Sequence, residues 1–140
     1  MRAFFDTSAL VPVFLDDHQH HERSLKAFVA AAKNDACAAH SLAEVYSTMT
    51  RLPGPHRLSG EQVLLFLENI SERLSLVTLT GQEYYAAIKE SAEAGITGGA
   101  IYDALIARCA LKAKADRIYS WNTKHFERFG AAIVNRLTTP

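Results

Sequence analysis

The sequence has no excess of charge of either sign. Its 140 residues include 15 Lys and Arg and 15 Asp and Glu, so the formal net charge is zero. A protein drawn to nucleic acid or to a membrane surface by its overall field is typically basic. Binding of a polyanion by this chain would therefore need a local patch of basic side chains.

Cysteines are few and long apolar runs are absent. Cys37 and Cys109 lie in apolar surroundings without the spacing of metal ligands, and we interpret both as reduced core residues. No apolar run approaches the roughly 18 residues that span a bilayer, and the N-terminus lacks the basic-then-apolar pattern of a signal peptide. We expect a cytosolic protein that does not bind membranes.

The composition is that of an ordinary globular domain, with 49% hydrophobic and 21% charged residues. We predict a single domain over residues 1–140, long enough to bury its own core. Short apolar runs alternate with segments of helical periodicity. The predicted strands are 3–5, 36–39, 76–79, 116–120 and 132–134, and the main predicted helices are 21–33, 41–51, 59–73, 80–94 and 101–114. This alternation predicts an α/β fold, a three-layer α/β/α sandwich around a central parallel sheet of four to five strands.

The first predicted strand ends in a carboxylate, Asp6, followed by Thr7 and Ser8. A run that is apolar at every position is typical of a strand buried on both faces. Open parallel sheets bind ligands at the carboxyl ends of their strands. Two interpretations stay open: Asp6 caps the following helix with the help of the two hydroxyl residues, or it is a functional group.

Two further acids lie near the starts of predicted helices. Glu44 follows Ser41 by three residues, a spacing that matches a capping box and favours a capping role over a functional one. Asp103 stands in the first turn of a helix that is apolar over most of its surface. It either complements the helix dipole or, as a partly desolvated charge, needs a cation or metal as partner.

If the first strand is central, its carboxyl end and that of the strand before Asn122 lie side by side, near the helix starts of Glu44 and Asp103. We therefore expect four oxygen-bearing side chains to converge, those of Asp6, Glu44, Asp103 and Asn122. The histidine-rich segment 16–22 lacks the HExxH spacing of two metal ligands on one helix face. We interpret it as a solvated loop and helix start.

Four blocks of the sequence occur in an order that is typical of one family. They are Phe-Phe-Asp-Thr-Ser-Ala-Leu around Asp6, Ser-Leu-Ala-Glu-Val-Tyr around Glu44, Ile-Tyr-Asp-Ala-Leu-Ile-Ala around Asp103, and Ala-Asp-Arg-Ile-Tyr-Ser-Trp-Asn-Thr-Lys-His-Phe ending in Phe126. With these blocks the chain resembles the PIN domain family, and more closely its small members, the VapC-type toxins of toxin–antitoxin pairs.

The resemblance implies an endoribonuclease that depends on Mg²⁺ or Mn²⁺ and cleaves RNA with metal-activated water. Asp6, Glu44 and Asp103 match the acidic residues of the family, and Asn122 stands where many members have a fourth acid. Asn122 carries one negative charge less than that acid, which affects the occupancy of a second metal site more than the reaction, because an amide oxygen also binds hard cations. We expect direct metal binding by Asp6 and Asp103, a water-mediated or orienting role for Glu44, and completion of the shell by Asn122.

The resemblance also implies an RNA substrate, a cognate antitoxin that holds the toxin inactive, and a homodimer. Thr7 and Ser8 would position Asp6 or a phosphate, unless they only cap the helix. The candidates for phosphate contacts are Arg51, His56, Arg57, Lys124, His125 and Arg128. Trp121 or Phe126 is a candidate for stacking on an unpaired base.

Two other functions remain to be weighed. An aspartyl phosphotransferase also places an Asp after its first strand, but that class needs a second Asp at Ser8 or a later Lys at a strand end, and the chain offers neither. A PIN-fold binding module that lost its metal through Asn122 is the main alternative. The retention of three carboxylates argues against it, because without a cation they repel one another.

Overall fold

A five-stranded parallel sheet forms the centre of the computed structural model, which describes residues 2–140. The strands are β1 Ala3–Phe5, β2 Ala36–Ala38, β3 Ser75–Val77, β4 Arg117–Tyr119 and β5 Leu137–Thr138. Their order across the sheet is β3-β2-β1-β4-β5, and each neighbouring pair is parallel. The prediction of a parallel sheet with a central first strand is confirmed.

Helices connect the strands. They are α1 Thr7–Leu10, α2 His21–Val29, α3 Ala39–Thr50, α4 Gly60–Arg73, α5 Gly81–Glu93, α6 Ala100–Lys112, α7 Thr123–Phe126 and α8 Ala131–Val134. Short 3₁₀ segments follow at Val11–Phe14, Gly54–His56 and Glu127–Phe129. In the part of the chain that the structure describes, no helix has both the length and the apolarity that a membrane crossing requires.

The central strand explains the three layers. Successive side chains of a strand point to opposite faces, and both Phe4 and Phe5 have no exposed surface. Phe4 packs in a core cluster with residues of α5 and α6, among them Ile106, whereas Phe5 packs with residues of α3 and α4, among them Val45 and Ile70. A strand between two helical layers must be apolar at each position, which confirms the predicted α/β/α sandwich.

The last predicted strand is wrong. Residues 132–134 belong to α8, and the fifth strand is β5, where Leu137 pairs with Ile118 of β4. Gly130 precedes the helix with φ at 95°, a conformation that redirects the chain at little cost only for glycine. Ile133 alone is then fully buried. A run of three apolar residues has no period that separates a helical turn from a strand.

The capping box predicted for Ser41 and Glu44 is also wrong. β2 ends at Ala38, and the chain enters α3 at Ala39 without a side-chain cap. Ser41 is therefore inside the helix, where it is fully buried. The two residues had the correct spacing for a cap, but the strand ends earlier than predicted and moves the helix start towards the N-terminus.

α2 ends four residues before the predicted limit of the 21–33 helix, at Val29. The buried carboxylate of Asp35 accepts hydrogen bonds from the backbone N–H groups of Ala32, at 2.9 Å, and of Ala3, at 2.8 Å. These bonds hold the end of the α2–β2 connection as a turn and anchor the start of β1.

Candidate active site

A cleft of about 620 Å³ opens where β1 and β4 end. Its lining comes from the residues after β1, from α3, from the first turn of α6, from the residues after β4, and from the segment before α2. The lining residues are Asp6, Thr7, Ser8, Val11, Pro12, His18, Gln19, His20, Glu44, Thr48, Asp103, Trp121 and Asn122. The four oxygen-bearing side chains expected to converge all lie in this one cleft.

Asp6 lies at the floor of the cleft and is only 4% exposed. Its Oδ2 accepts hydrogen bonds from Ser8 Oγ at 2.7 Å, from Ser120 Oγ at 2.9 Å and from the Ser8 backbone N–H at 3.4 Å. The last contact caps α1, as one of the two interpretations required. The hydrogen bonds of Ser8 and Ser120 thus all go to one oxygen of the carboxylate, Oδ2.

The surroundings of Asp6 shift the pKa of its carboxyl group in opposite directions. Burial raises the pKa of this carboxyl group, because the charged form loses its water. Hydrogen bonds from Ser8 and Ser120 lower the pKa in part, since they stabilise the ionised form. No Lys, Arg or His in the described chain forms an ion pair with Asp6. A buried carboxylate held by neutral donors alone is a favourable place for a cation.

Glu44 lies in the second turn of α3, facing the residues after β1. Thr7 Oγ1 donates a hydrogen bond of 2.6 Å to Glu44 Oε1 and lies 2.9 Å from Ser41 Oγ. The other carboxylate oxygen, Oε2, lies 3.7 Å from His40 Nε2. Glu44 is therefore oriented by a hydroxyl group from another element, and not by the start of its own helix.

Asp103 occupies the first turn of α6, and its side chain is 30% exposed. Burial and the negative charges of Asp6 and Glu44 raise the pKa of Asp103, whereas nearby His125 lowers it. The His125 Nδ1 atom lies 3.9 Å from Asp103 Oδ2. Three carboxylates thus influence one another across the cleft, and a bound cation would relieve their repulsion.

The end of β4 supplies the fourth oxygen-bearing side chain. Asn122 is exposed at the cleft, and its backbone N–H donates a hydrogen bond of 3.0 Å to Ser120 Oγ. Its amide oxygen is a neutral ligand for a hard cation. Asn122 makes no side-chain capping contact with α7.

The chemistry of this donor set fits a hard divalent cation that keeps part of its water. Carboxylate and amide oxygens are the ligands of such cations, and Mg²⁺ is usually held by one or two carboxylates with several waters. In residues 2–140 no three His, Cys, Asp or Glu side chains are close enough together to hold a metal ion by themselves. The arrangement therefore suits an ion bound directly by one or two acids and through water by the others.

Of the residues predicted to contact RNA, Thr7, Ser8 and Trp121 line the cleft, and the others lie outside its lining. The basic candidates are Arg51, His56, Arg57, Lys124, His125 and Arg128, all exposed. His125 is the nearest to the acids through its contact with Asp103. Phe126 is 1% exposed within the core, so the expectation that it stacks on a base is wrong.

Two contributions to the cleft were missed from the sequence. Ser120 is fully buried and donates to Asp6. The available signal was a hydroxyl residue directly after a strand that neighbours the Asp6 strand. The segment interpreted as a solvated loop also reaches the cleft, through His18, Gln19 and His20. No local sequence pattern predicts that this segment reaches the cleft.

Comparison with known proteins places this chain in a family. A model of the PIN domain matches residues 3–132. The chain therefore belongs to the PIN domain family. Within it, the chain groups with VapC proteins: it is 36% identical over 110 residues to ribonuclease VapC40 of Mycobacterium tuberculosis, covering 79% of each protein. Ribonuclease VapC27 of the same species is 36% identical over 114 residues, covering 79% of this chain and 78% of the relative.

Solved structures share the fold at low sequence identity. The M. tuberculosis toxin VapC20, described as cleaving the sarcin-ricin loop, superposes with a TM-score of 0.72 at 13% identity, over 95% of this chain and 97% of the toxin. VapBC2 from Rickettsia felis, bound to a DNA fragment from its promoter, gives a TM-score of 0.66 at 21% identity, over 100% and 99% of the two chains. Likeness at these identities concerns the fold.

Proposed function

We propose that this chain is a metal-dependent endoribonuclease, the toxin of a toxin–antitoxin pair, that cuts RNA in the cytoplasm. One observation carries the proposal: Asp6, Glu44, Asp103 and Asn122, from four separate parts of the chain, line one cleft. The relatives named as ribonucleases support the same activity. Oxygen ligands of this kind bind the divalent cation that metal-assisted phosphodiester hydrolysis requires.

The proposed ligands of Mg²⁺ or Mn²⁺ are Asp6 and Asp103 directly, Glu44 through water, and Asn122 as the residue that completes the shell. Once bound, the ion would supply an activated water and would stabilise negative charge on the phosphoryl and leaving oxygens. Asn122 contributes no charge, so the negative charge of the proposed site comes from three carboxylates.

The hydroxyl residues around the acids have positioning roles in this proposal. Ser8 and Ser120 both donate to Asp6 Oδ2, which holds the carboxylate in place and favours the ionised state. Thr7 holds Oε1 of Glu44, and Oε2, which lies 3.7 Å from His40 Nε2, would accept a hydrogen bond from the attacking water. We therefore assign Thr7 and Ser8 to the positioning of carboxylates and not to phosphate binding.

Basic side chains near α7 would bind the RNA backbone. Lys124, His125 and Arg128 are exposed in the segment that follows β4, and His125 lies next to Asp103. An acidic cleft repels phosphate unless positive charge lies at its edge. We propose that this group, with Arg51, His56 and Arg57 further away, supplies contacts that do not depend on base identity.

The proposal is tested by cleavage of a panel of fluorescent single-stranded RNAs with Mg²⁺, with Mn²⁺ and with a chelator. The wild type should cut only with metal, and Asp103→Asn should lose cleavage while keeping its fold. Asp16→Asn, an exposed acid that does not line the cleft, is the matched control and should cut as the wild type does. No cutting by the wild type, with no metal-induced rise in melting temperature, would instead indicate a binding module.

We also propose a cognate antitoxin and a homodimer as partners, following the resemblance to VapC proteins. Co-expression with the antitoxin should yield a complex that no longer cuts RNA. α5 exposes Tyr84, Tyr85 and Ile88, a set of apolar side chains that supports pairing with another chain. Sedimentation of the isolated protein, with Tyr85→Ser and Ile88→Ser as variants, tests whether that surface forms the dimer.

A further inference from the structure

Trp121, the first residue after Ser120, is fixed in the wall of the cleft. Its indole Nε1–H donates a hydrogen bond of 2.9 Å to the Oγ of Ser24, a fully buried residue of α2. Its backbone N–H donates a bond of 2.9 Å to Ser8 Oγ, the same hydroxyl group that donates to Asp6. One serine thus ties the position of the indole to that of a proposed metal ligand.

His20 lies flat against this indole. The ring centroids are 3.7 Å apart and the planes differ by 7°. The backbone around the imidazole is held at the start of α2: His20 N–H donates to His18 Nδ1 at 3.0 Å, and the Ser24 N–H donates to the His20 carbonyl at 3.1 Å. Both rings line the cleft, and neither belongs to the two core clusters of the fold.

We propose that His20 and Trp121 form a stacking platform for one unpaired base of the RNA, next to the phosphate that is cut at Asp6. The proposal rests on the proposed nuclease function and specifies its substrate class: a single-stranded or looped RNA with a base turned out of any helix. In this arrangement the imidazole presents the outer ring of the pair to the cleft, and the indole behind it keeps the imidazole flat.

Stacking selects unpaired bases because a base within a duplex has both faces covered by its neighbours. One base on an aromatic side chain strengthens binding by about 5- to 150-fold. Arg23 adds positive charge close to the platform, since its Cζ lies 5.3 Å from the indole centroid. The platform contains no carboxylate, so it should bind RNA without the metal ion on which cutting depends.

The sole tryptophan of the chain is part of the platform, so its fluorescence reports occupation of this site directly. The probe is a fluorescein-labelled single-stranded oligoadenylate of ten nucleotides, titrated in chelator, with anisotropy measuring Kd and tryptophan emission measuring stacking. Competitors are a blunt RNA duplex and an all-abasic strand of equal length. The variants are His20→Ala, His20→Phe, which keeps a flat ring, and Gln82→Ala, a control at an exposed position of α5 that does not line the cleft.

The oligoadenylate should quench the emission of Trp121, and the duplex and the abasic strand should compete weakly. His20→Ala should raise Kd by about tenfold, whereas His20→Phe and Gln82→Ala should stay near the wild type. Equal Kd values for wild type and His20→Ala, equal competition by the abasic strand, or an absence of quenching would each overturn the platform.

Cleavage is measured separately with metal, which distinguishes failure of the platform from failure of the nuclease. RNA cutting by wild type and His20→Ala with the same KM would reject the platform and leave the nuclease standing. Binding that depends on His20 in chelator, together with no cutting in any metal, would support the platform and reject the nuclease. If His20→Ala has a lower melting temperature, comparison with His20→Phe separates the loss of stacking from the loss of stability.

Discussion

Replacement of Ser120 by alanine should destabilise the fold, because it removes a hydrogen bond to the buried carboxylate of Asp6. Ser120 has no exposed surface, and its Oγ donates a 2.9 Å hydrogen bond to Asp6 Oδ2 while accepting one of 3.0 Å from the Asn122 N–H. The substitution removes one oxygen atom and introduces no clash. In the variant, Asp6 still accepts the hydrogen bond from the Ser8 hydroxyl, and the N–H group of the exposed Asn122 can donate to water instead.

The expected loss follows from the charge of the acceptor. A hydrogen bond to an ionised group contributes about 1.5–3 kcal/mol, and one between neutral groups contributes about 1 kcal/mol. Ser120→Ala should therefore lower the free energy of unfolding at pH 7 by about 2 kcal/mol, and the melting temperature by about 4–8 °C. With Asp6→Asn as background, the same change should cost only about 1 kcal/mol, because the acceptor is neutral.

Urea unfolding in chelator, followed by the emission of Trp121, measures all four proteins of this cycle. Removal of a donor to Oδ2 raises the pKa of Asp6 further, so the cost of Ser120→Ala should fade as the pH falls and the carboxyl group becomes protonated. Activity of Ser120→Ala should fall as well, since the carboxylate of Asp6 loses one of the two hydroxyl groups that hold it. A cost that is the same with Asp6 and with Asn at position 6, at every pH, would refute the idea that Ser120 holds a charged carboxylate.

Three further predictions concern the acids and their supports. In chelator at pH 7, Asp103→Asn should melt a few degrees above the wild type, because the raised pKa of Asp103 means that its ionised form destabilises the fold; the advantage should vanish as the pH falls below the unfolded value of 3.8. Mg²⁺ or Mn²⁺ should raise the melting temperature of the wild type but not that of Asp103→Asn, which a thermal-shift titration checks and an equal response of both proteins would contradict. Thr7→Val removes the 2.6 Å bond to Glu44 while keeping the shape of the side chain. It should lower kcat more than it changes KM, and equal activity in steady-state assays would exclude a positioning role.

Much of the fold could be predicted because its signals are local. The apolar Phe4 and Phe5 before Asp6 predict a buried strand, since a strand between two layers has no exposed face. The helix predicted from residue 80 is also found, and Thr80 and Glu83 form a capping box at its start, a local signal that depends on residues three positions apart. Local signals gave wrong predictions in two places. At Ser41 the end of β2 decided where the helix starts, and at 132–134 three apolar residues were too few to distinguish a helical period from a strand period.

The candidate site divides in the same way. The sequence by itself determined that the three acids and Asn122 meet at the cleft, because alternating strands and helices bring the ends of parallel strands to one edge. Asp6 directly follows β1, and Asn122 stands three residues after the end of β4. Only the tertiary structure decided what holds them: Ser120 at Asp6, Thr7 at Glu44, and His20 on Trp121. Those contacts join residues from separate elements, and their distances depend on how helices pack against the sheet, which no local spacing records.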